Sequence, residues 1–111
     1  MRQAYKLYAF SLIITMSLCV NIAQAQTNVA DLLKQGKAKH TAKDYKAAIA
    51  LFDQALKLDN KSKEVYYHRG MAYFKLHEFP DAVADFDRAI KLDAKYADAY
   101  VGKALVKYEA G

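Results

Sequence analysis

Residues 66–89 read YYHRGMAYFKLHEFPDAVADFDRA. Small and aromatic residues recur there on both sides of a short break: Tyr66, Gly70 and Tyr73 before it, then Ala82, Phe86 and Ala89 after Phe79. Steps of three and four residues place such side chains on one face of an α-helix. The stretch therefore reads as two helices back to back, with His77-Glu78-Phe79 as the turn. Moving each position back by 34 residues gives Leu32, Gly36, Lys39, Tyr45, Ala48, Phe52 and Ala55, of which only Lys39 departs in kind. Segments 29–62 and 63–96 align without a gap and agree at eleven positions. A fixed period of this length marks a stacked helical repeat, in which each unit buries its apolar face only against its neighbours. The expected fold class is all-α.

Working outward, Asn28 stands as N-cap of a first helix reaching about Lys39, with Asp31 in its first turn. Asp44 suits the N-cap of a second helix over 45–58, and Ser62 that of a third over 63–76. The third helix carries apolar groups round most of its circumference, which predicts cover on more than one side and a place inside the stack. Pro80 and Asp81 fit the first turn of the fourth helix, where amides lack helical partners in any case. A fifth helix over 96–109 restarts the pattern, with Tyr100 and Ala104 at the places of Tyr66 and Gly70. Two and a half repeats result: 29–62, 63–96, and a half unit or capping helix over 97–111. Gly36, Gly70 and Ala104 are expected to permit close helix approach. Tyr66, Tyr73, Phe52 and Phe86 are expected to fill the gaps between hairpins.

The first 25 residues have a different character. Arg2 and Lys6 precede an apolar run from Ala9 to Val20, and Ala23-Gln24-Ala25 offers the small residues a signal peptidase reads. The run falls short of the ~20 apolar residues of a membrane-spanning helix, and Leu18 before Cys19 does not suit a lipoprotein signal. A secretory signal cleaved between Ala25 and Gln26 is expected, leaving a domain over 26–111 that is exported to a periplasm or secreted and no longer held at the membrane. Cys19 is the one cysteine, so the mature chain is expected to have neither a disulfide nor a thiol nucleophile. Removing Arg2 and Lys6 lowers the formal charge from +5 to +3. Acidic and basic residues alternate without a basic block, which argues against a nucleic-acid partner.

The chain resembles the tetratricopeptide repeat family in its 34-residue helix–turn–helix unit with small and aromatic residues at set places. The resemblance spans residues 29–111. It departs at Asn60 and Ala94, where the family often has proline, and at Lys39, which stands in the place of Tyr73. It implies a right-handed superhelical stack of hairpins whose first helices line a concave groove for a peptide or protein segment. Carried over by position, the groove residues are Leu33, Lys34, Lys37 and His40; Tyr67, His68, Met71 and Phe74; and Val101, Gly102, Leu105 and Tyr108. One subgroup of the family grips a C-terminal carboxylate in this groove. Here Leu33, Lys37, His68, Val101 and Leu105 occupy those places, and the grip is not supported. An apolar, aromatic groove edged by lysines suits a peptide with apolar anchors and some acidic character.

Other chemistry finds little footing. The three histidines show no ligand spacing on one helix, so no metal is expected. No catalytic constellation or phosphate loop appears, and neither an enzyme nor a cofactor is expected. Tyr67, Met71 and Phe74 also fit an ordinary core stripe, and Lys34, Lys37, Lys39 and Lys43 a solvated face. Loss of Tyr66 or Tyr73 is expected to unfold the chain, and loss of Tyr67 and Met71 to spare the fold. The rival expectations are a structural subunit that completes its small core by homo-oligomerisation, and the front of a longer repeat protein. Lys103 and Lys107, by softening the open face of the fifth helix, lean against the latter. Mass spectrometry of the protein from its native host should find an N-terminus at Gln26; an intact Met1 terminus would refute the cleavage.

Overall fold

The computed structural model describes residues 28–111 as five helices: α1 Val29–Thr41, α2 Tyr45–Leu58, α3 Lys63–Lys75, α4 Phe79–Leu92 and α5 Ala97–Ala110. No strand occurs among the described residues. The expected signal and its cleavage point lie outside them. Three of the starts are capped as their sequences suggest. Asn28 Oδ1 accepts from the Asp31 amide at 3.0 Å, Asp44 Oδ1 from Ala47 at 3.2 Å, and Ser62 Oγ from Val65 at 3.4 Å. Each bond satisfies an amide that the first helical turn leaves without a partner. Helix α4 has no side-chain cap and opens with Phe79-Pro80 instead.

The turn inside each hairpin repeats to the residue. Lys43 and His77, 34 positions apart, both take left-handed backbone conformations, with φ of 63° and 60°. The amides of Asp44 and Glu78 reach back to the carbonyls of Lys39 and Tyr73, each at 2.9 Å. This six-to-one bond closes a Schellman turn, which usually seats glycine at the left-handed position. Both hairpins keep a full side chain there and accept its steric cost.

Helix α1 packs on α2, and α3 on α4, as hairpins. The first helices also touch in series, α1 to α3 and α3 to α5, whereas α2 and α4 stay apart. The stack thus curves with its first helices on the inside. Phe52 and Phe86 are fully buried and set the spacing. Phe52 lies between Gly36 of its own hairpin and the ring of His68 of the next, whose centroid is 6.2 Å away. Phe86 is held in the same way by Gly70 and Gly102. A Cβ added to either glycine would fall 2.8 or 2.6 Å from its ring. The glycines leave room for the aromatic ring, and the ring fills what would otherwise be a wedge-shaped void.

The close-approach residue on α5 is therefore Gly102, not Ala104, which is exposed. The 34-residue alignment sets Ala104 opposite a hairpin partner that no described residue supplies. Gly102 instead meets the preceding hairpin. Tyr66 and Tyr73 lie in the gap between the two hairpins, as their places in the repeat suggest. They face the space between α2 and α4, where Tyr66 donates its hydroxyl to the Asn60 carbonyl at 2.9 Å. Tyr100 does the same to Ala94, again at 2.9 Å and one repeat later.

A feature the periodicity did not show ties three helices together. Arg69 of α3 gives Nε and Nη2 to the two carboxylate oxygens of Asp85 on α4, both at 2.8 Å, and Nη1 to Asp53 on α2, also at 2.8 Å. Asp85 is 2% exposed. Burial pushes its carboxyl up, and the two Arg69 bonds oppose that rise. The same bonds raise the proton affinity of the guanidinium, which stays charged. One repeat later Lys103 pairs with Asp87 at 2.7 Å, the position-for-position counterpart of Arg69 with Asp53. Lys103 thus serves the junction between hairpins and says nothing about the open face of α5. Phe86→Ala should cost roughly 3–5 kcal/mol as a core truncation. Asp85→Ala should cost about 3 kcal/mol by removing the buried carboxylate and leaving the half-buried Arg69 without its main partner. Chemical denaturation of both variants beside wild type checks this.

Candidate functional site

On the inner side of the stack α1 and α3 diverge enough to leave a cavity of about 230 Å³, lined by Lys37, His40, Thr41, Tyr67, His68 and Met71. Five of these are among the residues expected in the groove; Thr41 is the addition. It lies one turn beyond Lys37 and gives its hydroxyl to the Lys37 carbonyl at 3.0 Å. The sequence reading ended α1 near Lys39, which kept Thr41 out of view.

The remaining expected groove residues are spread more widely. Leu33 is half-buried against the first-hairpin core around Leu32, and Lys34 is exposed. Phe74 turns its ring towards Phe79 of its hairpin partner, at 6.0 Å between centroids. On α5, Val101 and Tyr108 are 58% and 85% exposed, with Leu105 beside them also exposed. Gly102 is taken up by Phe86.

Tyr67 has two duties. It lines the cavity, yet its ring also lies 6.0 Å from Phe86 and 5.7 Å from Tyr96, closing the joint between the second hairpin and α5. Truncating Tyr67 would thus loosen the stack as well as the cavity, contrary to the expectation that its loss spares the fold. Burial raises its phenol pKa, and Asp98 adds to the effect. Its neighbour Tyr96 is pushed up to about 12, again mainly by burial.

The two imidazoles in the wall are neutral. His68 lies against Phe52 and Tyr67, and burial pulls its pKa down to about 4, with Lys37 assisting and Glu64 opposing. His40 is edge-on to Tyr45 at 5.1 Å and is lowered first by burial, then by Lys75. Its Nε2 is buried and has no hydrogen-bond partner among the described residues. The cavity therefore presents a soft apolar floor at Met71, two uncharged rings with hydrogen-bonding capacity, and one ammonium at Lys37. Such a wall accepts an apolar side chain with a polar tip. Among the described residues no cluster of three or more His, Cys, Asp or Glu side chains is placed to hold a metal ion, and no helix is long and apolar enough to cross a membrane.

Comparison with known proteins agrees with this architecture. The family model described as tetratricopeptide repeat matches residues 64–96, and a second, described as TPR repeat, matches residues 36–77. The chain belongs to the tetratricopeptide repeat family. No curated protein matches it. Among solved structures, MamA is 36% identical with a TM-score of 0.74, over 82% of this chain and 54% of that one. The chain thus spans about half the length of MamA. The TPR2B domain of yeast Sti1, solved as a complex described as pHsp70, is 28% identical with a TM-score of 0.71, over 74% of this chain and 66% of that one. The second TPR domain of Spaghetti (RPAP3), bound to the HSP90 peptide SRMEEVD, gives a TM-score of 0.73 over 82% of this chain and 84% of that one. At 22% identity that last likeness concerns the fold alone.

The His68 environment predicts a pH effect. A histidine with folded pKa near 4 and an ordinary unfolded pKa near 6.5 binds fewer protons folded than unfolded between those values. Its contribution is intact above pH ~6.5 and is lost as pH falls towards ~4. Thermal melts across this window should show wild type losing more stability on acidification than His68→Gln, and parallel losses would contradict the assignment.

Proposed function

We propose that this chain is an exported protein-interaction module that holds a peptide or protein segment in the groove between its first helices, with no catalysis of its own. The observation that carries this reading is the convergence of Lys37, His40, Tyr67, His68 and Met71 on one open cavity between α1 and α3. Lys37, with Lys34 one turn earlier, favours acidic groups beside the apolar anchor. The Spaghetti domain was solved with a bound peptide and the Sti1 domain as a complex described as pHsp70, and this chain shares their fold. Export rests on the sequence of residues 1–25.

The groove is tested with peptides selected from a random display library on the 111-residue protein, then titrated against Lys37→Glu with Met71→Ala. Tyr67 is left in place because it also holds the stack. The double variant should melt near wild type and bind the selected peptides at least tenfold more weakly, the loss of ~1.4 kcal/mol or more that a central anchor supplies. Retained affinity would move the site elsewhere.

Self-association is a second reading, favoured by the exposed run of Tyr100, Val101, Leu105 and Tyr108 along α5. Sedimentation over a wide concentration range should show reversible association, weakened by Tyr108→Ser with Val101→Ser; a strict monomer excludes it.

A further inference from the structure

The opposite, outer side of the stack carries a second recess that the groove does not explain. Because α2 and α4 stay apart, a cleft runs between them. Its two compartments, of about 500 and 390 Å³, share Asn60, Tyr66 and Arg88. The floor is the Tyr66 ring, which is almost entirely buried. Two guanidiniums lie over that ring, Arg69 at 5.8 Å and Arg88 at 5.7 Å from its centroid.

The two arginines differ in what they have left to offer. Arg69 is committed to Asp53 and Asp85. Arg88 is exposed and forms no ion pair with any described residue, and the same is true of Lys57 and Lys91 on the walls. Asp53, the acid in the lining, is already taken by Arg69. Leu56 and the partly exposed Leu92 supply apolar wall. Three uncompensated cations thus surround an aromatic floor with leucine on either side.

We infer that this outer cleft is a second binding site, for an acidic peptide segment that seats one apolar side chain against the exposed Leu92 and sets carboxylates against Arg88, Lys91 and Lys57. Guanidinium stacked on an aromatic face keeps its edge free for a carboxylate, and stacking holds it in place for that bond. An extended segment suits the site better than an anionic membrane does, since the floor is recessed between two helices. The site is independent of the inner groove: α3 separates them, and the two linings have no residue in common.

The test is fluorescence anisotropy of fluorescein-labelled EELFEE, with KKLFKK as its charge-reversed counterpart, on the 111-residue protein. EELFEE should bind, KKLFKK should not, and affinity should fall as salt rises from about 0.05 to about 0.5 M. Arg88→Gln with Lys91→Gln should weaken binding on the order of tenfold. Lys39→Gln with Lys107→Gln, an equal loss of charge at remote exposed sites, should change it less than twofold, on the order expected of long-range screening alone. Absence of binding overturns the inference, as does equal loss in both double variants, which would reduce it to net charge. Loss confined to Lys37→Glu with Met71→Ala would assign EELFEE to the groove and overturn the outer site while leaving the groove reading intact. Binding of the protein to phosphatidylglycerol vesicles, lost with Arg88→Gln and Lys91→Gln while EELFEE stays unbound, would make the cleft a membrane contact and overturn it equally.

Discussion

Everything in this stack depends on where a phenylalanine ring can lie between two helices. Phe86 is inserted between Gly70 and Gly102, and Phe52 between Gly36 and His68. Each ring is carried by the second helix of one hairpin and meets the first helices of two successive hairpins. Since interiors are packed at crystal-like density, the ring fixes the spacing and leaves little freedom for the angle. The curvature follows: first helices are drawn into contact on one side, and second helices are held apart on the other. Both recesses, inner and outer, are by-products of that angle.

The ionic contacts belong to the same junctions. Arg69 with Asp53, and Lys103 with Asp87, join successive hairpins at equivalent places. Each of these pairs has a partner that is well exposed, so it adds little to stability. Asp85 is different because it is buried and accepts both bonds from one guanidinium. A bidentate pair of this kind admits one orientation of Arg69, which fixes how α3 is rotated between α2 and α4.

The helices and the three caps were legible in the sequence because they depend on residues within a few turns of one another, and the repeat because two gap-free segments agree at eleven positions; the end of α1 fell two residues beyond the reading. Ala48, Phe52, Ala82, Phe86 and Ala89 are all fully buried, as their spacing requires. What spacing could not give was which neighbour a position meets. Gly102 and Ala104 sit two residues apart, and their fates are opposite because one faces the preceding hairpin and the other does not. Arg69 was unreadable for a similar reason: its partners lie sixteen residues away on either side. The 34-residue alignment sets Leu51 opposite Asp85, so the pattern gave no hint of a buried acid. In the groove, the expected residues that converge are those of α1 and α3 nearest the joint. Those on α5 stay apart from it: none of Val101, Leu105 and Tyr108 lines the cavity between α1 and α3.

The hydroxyl bonds of Tyr66 to Asn60 and of Tyr100 to Ala94 have a consequence for how the repeats melt. A proline at those linker positions would stiffen the loop whether or not the chain was folded, by removing conformations from the unfolded ensemble. A tyrosine on the following helix stiffens it only once that helix has docked. Order in each linker is therefore conditional on the next repeat. Neighbouring hairpins are coupled through the loops as well as through the phenylalanines, so the array should come apart as one unit rather than hairpin by hairpin.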